Sequence, residues 1–119
     1  MLVKKLITIM LLAITVLSCS KDDAPATVPA ITFSKAEGKA INGVFTITGT
    51  ITSSVNLLKV VLTKQGESAP FIVDDTTAKN KNSYAYSYLV EGITADTTIL
   101  IDVYDQNGGK TSVSYLILK

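Results

Sequence analysis

Phe45-Thr46-Ile47-Thr48-Gly49-Thr50-Ile51-Thr52 alternates between a residue that can be buried and a threonine, without interruption over eight positions. A period of two turns successive side chains to opposite faces, so Phe45, Ile47, Gly49 and Ile51 share one face of a half-buried strand and the threonines share the other. Asn42-Gly43 just before it supplies a turn.

The same grammar continues on both sides. Ile31 to Ser34 is a first strand; Leu57 to Lys64 is another, with Leu58, Val60 and Leu62 expected inward and Gln65-Gly66 closing it. Phe71 to Val73 follows Pro70 as a short strand, and Asp74 to Ser83 reads as a polar loop too hydrophilic to be buried. Tyr84 to Val90 places Tyr84, Tyr86, Tyr88 and Val90 on one face against Ala85, Ser87 and Leu89. Thr97 to Asp105 turns Ile99, Ile101 and Val103 inward. After Gln106-Asn107-Gly108-Gly109 the last strand shows Val113, Tyr115 and Ile117 on one face. Seven short strands with turn signals between them, and no helical periodicity after residue 20, predict an all-β, seven-stranded immunoglobulin-like β-sandwich over residues 30–119. About 90 ordered residues can hold one core without disulfides.

The front of the chain is of another kind. Lys4 and Lys5 open it, Leu6 to Leu17 is almost wholly apolar, and Ser18-Cys19 follows. A run this short reads as a secretory signal, because a bilayer-spanning helix needs about 20 apolar residues. Val16-Leu17-Ser18-Cys19 resembles the lipobox of bacterial lipoproteins, with Val16 where Leu is commonest. The resemblance implies that residues 1–18 are a cleaved lipoprotein signal peptide, that Cys19 is acylated, and that residues 19–29, with Pro25 and Pro29 among small residues, are an extended tether. Each buried methylene contributes about 0.8 kcal/mol, so several acyl chains anchor a protein where one is marginal. Ser20-Lys21-Asp22-Asp23 resembles the export signal of lipoproteins of the Bacteroides group, which implies an outer-membrane protein facing the cell exterior, partnered with the membrane through lipid on Cys19.

Toward the other end, Leu89-Val90-Glu91-Gly92-Ile93-Thr94-Ala95-Asp96-Thr97, then Ile99 to Asp105 and a Gly-rich hairpin, resembles the strand, turn and corner of fibronectin type III and related bacterial immunoglobulin-like domains. Ile99 stands where the tyrosine corner would place Tyr, and there is no Trp. The resemblance therefore implies immunoglobulin-like architecture rather than fibronectin type III membership.

Composition excludes much chemistry. The 119 residues include no His and one Cys, so a Ser-His-Asp triad, a Cys-His pair and a His-ligated zinc cannot be built. Without Lys4 and Lys5, nine Lys face ten Asp plus Glu, a net charge of −1, and there is no Arg. Nucleic acid is not an expected partner, since neither bidentate forks nor a dense basic stretch exists.

Asp74-Asp75 and the Asp102/Asp105 pair are the clustered carboxylates. Calcium takes six to eight oxygens from several segments, so these read as solvated loop acids, with Asp102 and Asp105 on opposite faces and Asp105 near Asn107. No cofactor or metal is expected. A glycosidase needs carboxylates across a cleft, which a small sandwich scarcely offers. Tyr84, Tyr86 and Tyr88 form a stripe with about 6.6–7 Å between rings, either a surface for stacking sugars or core. Asp75-Thr76-Thr77 and Asp96-Thr97-Thr98 look like the short O-glycosylation sequence of the same bacterial group.

Two expectations follow: a non-catalytic surface module binding a glycan or protein partner, with the tyrosine stripe as the candidate face, or an accessory subunit of an outer-membrane complex or filament that pairs through a sheet edge. Leu116-Ile117-Leu118, followed only by Lys119, is the candidate edge.

Overall fold

A computed structural model describes residues 28–119. The signal segment 1–18, Cys19, the export residues Ser20, Lys21, Asp22 and Asp23, and most of the tether lie outside the described residues. Eight strands follow in order: β1 (Ala30–Phe33), β2 (Gly38–Lys39), β3 (Phe45–Thr52), β4 (Leu57–Lys64), β5 (Ile72–Asp74), β6 (Ser83–Val90), β7 (Thr97–Asp105) and β8 (Lys110–Leu118). They form a three-stranded sheet, β1-β3-β6, and a five-stranded sheet, β2-β8-β7-β4-β5.

The alternating stretch is the centre strand of the smaller sheet. β3 pairs antiparallel with β1 and β6, from Ala30 opposite Thr52 to Phe45 opposite Val90. Ile47 and Ile51 are fully buried, and the four threonines are exposed. Asn42 and Gly43 both hold positive φ, 55° and 77°, as a type I′ turn requires, and Ile41 bridges Val44 across it. The inward sets of β6, β7 and β8 also fall on the expected parity: Tyr86, Tyr88 and Val90; Ile99, Ile101 and Val103; Tyr115 and Ile117. With Ile47, Ile51, Leu57, Val60 and Leu62 they form one core between the sheets. Each fully buried aliphatic side chain contributes about 1.5–3 kcal/mol.

The structure corrects the sequence reading in four places. Among the described residues the strands number eight rather than seven, because Gly38 and Lys39 pair parallel with Ile117 and Leu118. That pairing, with Ala40 N–H donating to the Leu118 carbonyl at 2.8 Å, covers the end of β8, so Leu116-Ile117-Leu118 is not an open edge. On β4, Leu57 is buried and Leu58 is 38% exposed: the register against β7 shifts between Leu57 and Lys59, and the extra residue of such a bulge reverses parity. The segment from Asp74 to Ser83 is not all solvated, since Asp74 and Ala78 are buried.

Gly49 on β3 lies opposite Phe33 of β1 and Tyr86 of β6. A Cβ there would collide with the Thr32 carbonyl oxygen and the Tyr86 hydroxyl, which are themselves hydrogen-bonded at 2.8 Å. Gly49→Ala should therefore lower the unfolding free energy in urea by about 1–3 kcal/mol, the range for forcing extra volume into a packed site. Thr46→Ser, on the solvent face of the same strand, should change it by less than about 0.5 kcal/mol; equal effects would contradict the close approach.

Candidate functional site

Tyr86 and Tyr88 are 2% and 7% exposed, and Tyr84 is half-buried. The stripe faces the interior, so these rings do not offer an open surface for stacking sugars. Tyr86 and Tyr88 stack on each other, with ring centroids 5.5 Å apart. Phe33 meets Tyr86 edge-on at 6.4 Å and stacks on Tyr115 of the opposite sheet at 4.6 Å. The face was decided by what tyrosine needs when buried: a partner for each hydroxyl.

Two of those partners converge on Asp74. One carboxylate oxygen, Oδ1, accepts from the backbone N–H groups of Thr76, Thr77 and Ala78 at 3.3, 2.9 and 3.4 Å. The other, Oδ2, accepts from the hydroxyls of Thr77, Tyr88 and Tyr84 at 2.6, 2.8 and 3.3 Å. Asp74 ends β5 in the larger sheet and the tyrosines belong to β6 in the smaller, so the carboxylate fastens one flank of the sandwich. Burial by itself raises the Asp74 carboxyl, but hydrogen bonds from Thr77, Tyr88 and the backbone of Thr76 and Ala78 outweigh it and hold the group below its ordinary 3.8. Tyr88 moves the other way: burial first, then its bond to the negative Asp74, push its hydroxyl well above 10. Tyr86 is raised mainly by burial.

Asp105 is the second buried carboxylate. It lies 2% exposed, its Oδ1 accepting from Asn107 N–H at 2.8 Å and Gly109 N–H at 2.7 Å. It closes the β7–β8 hairpin, and a Cβ at Gly109 would strike it. Both aspartates expected as solvated loop acids are thus internal fasteners. The parity expected for Asp102 holds: it faces outward and accepts from Ser112 Oγ at 2.6 Å. Among the described residues no three acidic or thiol side chains gather as a metal site would need. Of the two candidate glycosylation sequences, Thr77 exchanges a hydrogen bond with Tyr84 and Thr97 donates to the Ala95 carbonyl at 2.8 Å.

What the outer surface offers is a different tyrosine. Tyr104 lies directly opposite Lys59 on β4 and Lys110 on β8, and both ammonium groups sit over its ring, 5.0 and 5.4 Å from the centroid. Beside this row a shallow hollow of about 400 Å³ is lined by Leu100, Asp102, Ser112, Val113 and Ser114. The sequence carries the signal for Tyr104, whose parity on β7 is opposite to the buried Ile99, Ile101 and Val103. The two lysines come from separate strands and meet it only through the sheet register.

No family model matches the chain, and no curated protein matches it. Among solved structures it is similar to the fibronectin(III)-like modules of Clostridium thermocellum CbhA, with 16% identity and a TM-score of 0.52, over 77% of this chain and 46% of that one. The chain thus spans less than half the length of that structure. The likeness shows an immunoglobulin-like, fibronectin(III)-like fold.

Tyr88→Phe removes one hydroxyl from Asp74 and should lower stability by about 1.5–3 kcal/mol, as for a hydrogen bond to a charged group. The acid limb follows from linkage. Because the folded state holds Asp74 below 3.8, its contribution is whole above that pH and is lost as pH falls through the lower folded value. Urea unfolding should weaken below about pH 4, and Asp74→Asn should flatten that limb; an unchanged limb would show that Asp74 is not the linked group.

Proposed function

We propose that this chain is a non-catalytic immunoglobulin-like module, anchored in the outer membrane by lipid on Cys19, carried to the cell exterior through Ser20, Lys21, Asp22 and Asp23, and binding an acidic glycan there. The observation that supports the binding reading is the outward row of Lys59, Tyr104 and Lys110. Recognition of an acidic sugar calls for an aromatic face and cations close by, and this row supplies both on a sheet rather than on a loop. Exposed cation–ring contacts contribute only about 0.5–1 kcal/mol each, so the two lysines keep freedom to turn toward a carboxylate. Asp102, one row away and bonded to Ser112, confines the positive field to that row and favours a ligand whose charges are spaced along one line.

The non-catalytic reading is supported by how the interior is built. The buried carboxylates of Asp74 and Asp105 are committed to structural hydrogen bonds. The hollow beside Tyr104 is shallow and has one carboxylate, where glycoside hydrolysis uses two across a cleft.

Retention on immobilised polygalacturonate tests the site. Tyr104→Ala and Lys59→Ala should each elute earlier than the parent chain while remaining folded by circular dichroism, and a neutral polysaccharide should retain none of them. Equal elution of all three on the acidic column would sink the reading. Anchoring is tested separately: Cys19→Ala should leave the membrane fraction without detergent, and protease added to intact cells should remove the domain. A membrane-bound Cys19→Ala chain, or full protection, would overturn the respective step.

A further inference from the structure

Two Asn-Gly pairs stand at turns with the asparagine exposed: Asn42-Gly43 before β3, and Asn107-Gly108 between β7 and β8. Asparagine is a thermolabile residue, because the backbone nitrogen of the next residue can attack its side-chain carbonyl carbon. Glycine in that next position makes the attack easiest, since no Cβ stands beside the nitrogen. As dipeptides the two pairs are equal. Their surroundings are not.

In the first turn, Ile41 and Val44 exchange both backbone hydrogen bonds, at 2.9 and 3.1 Å. The Gly43 carbonyl accepts from Ile93 N–H at 3.0 Å, which ties the turn to the loop after β6. Neither the Gly43 N–H nor the Asn42 carboxamide is engaged by another group among the described residues. The two groups that must join therefore lie free in neighbouring residues, while the turn around them stays bonded. The second turn is held at each amide. Asn107 N–H and Gly109 N–H donate to Oδ1 of the buried Asp105, at 2.8 and 2.7 Å, and Gly108 N–H is turned to the Asp105 carbonyl at 3.4 Å. A carboxylate bonded to both flanking amides also opposes loss of the proton from the amide between them, which the attack requires.

We propose that Asn42 is a site of spontaneous deamidation and that Asn107 is protected from it by Asp105. The Gly43 nitrogen gives its proton to solvent and bonds to Asn42 Cγ. The Cγ–Nδ2 bond breaks, and Nδ2 takes up a proton and leaves as ammonia, so that a five-membered succinimide remains. Water then opens one of the two carbonyl–nitrogen bonds of the ring. Opening at Cγ gives aspartate; opening on the main-chain side gives isoaspartate, whose backbone runs through the former side chain and is one methylene longer. Nothing is oxidised or reduced. Either product places a negative charge on a turn that has none, and the lengthened one no longer fits the type I′ geometry.

Incubation of the full, folded chain in mildly alkaline buffer, followed by peptide mass spectrometry, tests the site. The peptide carrying Asn42 should gain about one mass unit roughly tenfold faster than the peptide carrying Asn107, whose turn must first release its hydrogen bonds. In guanidinium chloride strong enough to unfold the chain, the two rates should come together. Equal rates in the folded chain, a faster Asn107, an intact Asn42 while the unfolded chain reacts, or a difference that persists undiminished on unfolding would each overturn the proposal.

Discussion

A carboxylate taken out of water needs donors for its lone pairs, and the cost of leaving it short is several kcal/mol. Asp74 meets that requirement between the two sheets, with backbone N–H groups on one oxygen and hydroxyls on the other. The arrangement determines much around it. The turn after β5 must curl so that Thr76, Thr77 and Ala78 present their amides, which draws Ala78 into the core. Tyr84 and Tyr88 must point inward, which sets the parity of the whole of β6 and sends Leu89 and Ser87 to solvent. The other flank is joined without charge, by Phe33 and Phe45 packing on Tyr115, and Gly49 lets Tyr86 reach the Thr32 carbonyl. Two unlike fastenings, one polar and one aromatic, thus hold the sheets together around the aliphatic core.

Much of this architecture was readable from alternation alone. Where apolar and polar residues take strict turns, as in β3, β6, β7 and β8, parity is unambiguous and the buried sets follow. Alternation says nothing where neighbours are alike: Leu57 and Leu58 are equally apolar, so the bulge that buries the first and exposes the second left no trace. A strand of two residues is too short to have a period, and β2 exists because Gly38 and Lys39 meet the end of β8, far along the chain. The polar run from Asp74 hid a buried acid, since hydropathy scores the residue and not its donors. A clue was present, for an aspartate ending a strand with Thr three residues on can receive that threonine's amide and hydroxyl. The tyrosine stripe was a true feature with two meanings, and the hydroxyl partners that decide between them lie on other strands.

The consequence for function is a division between inside and outside. In a chain without His or Arg, the carboxylates of Asp74 and Asp105 are used internally, and the outer surface carries the row at Tyr104 with its two lysines. Immunoglobulin-like folds carry many functions on the same frame, and here the frame leaves a sheet face, rather than a cleft, to do the work.

The clasp at Asp74 is most directly tested by following its carboxyl carbon through an acid titration by NMR. The carboxyl should titrate below the ordinary 3.8, and Tyr88→Phe should move the midpoint upward, because a donor to the charged form has been removed. A midpoint at or above 3.8 in the parent chain, or one indifferent to the loss of the Tyr88 hydroxyl, would contradict a carboxylate held between the sheets by its donors.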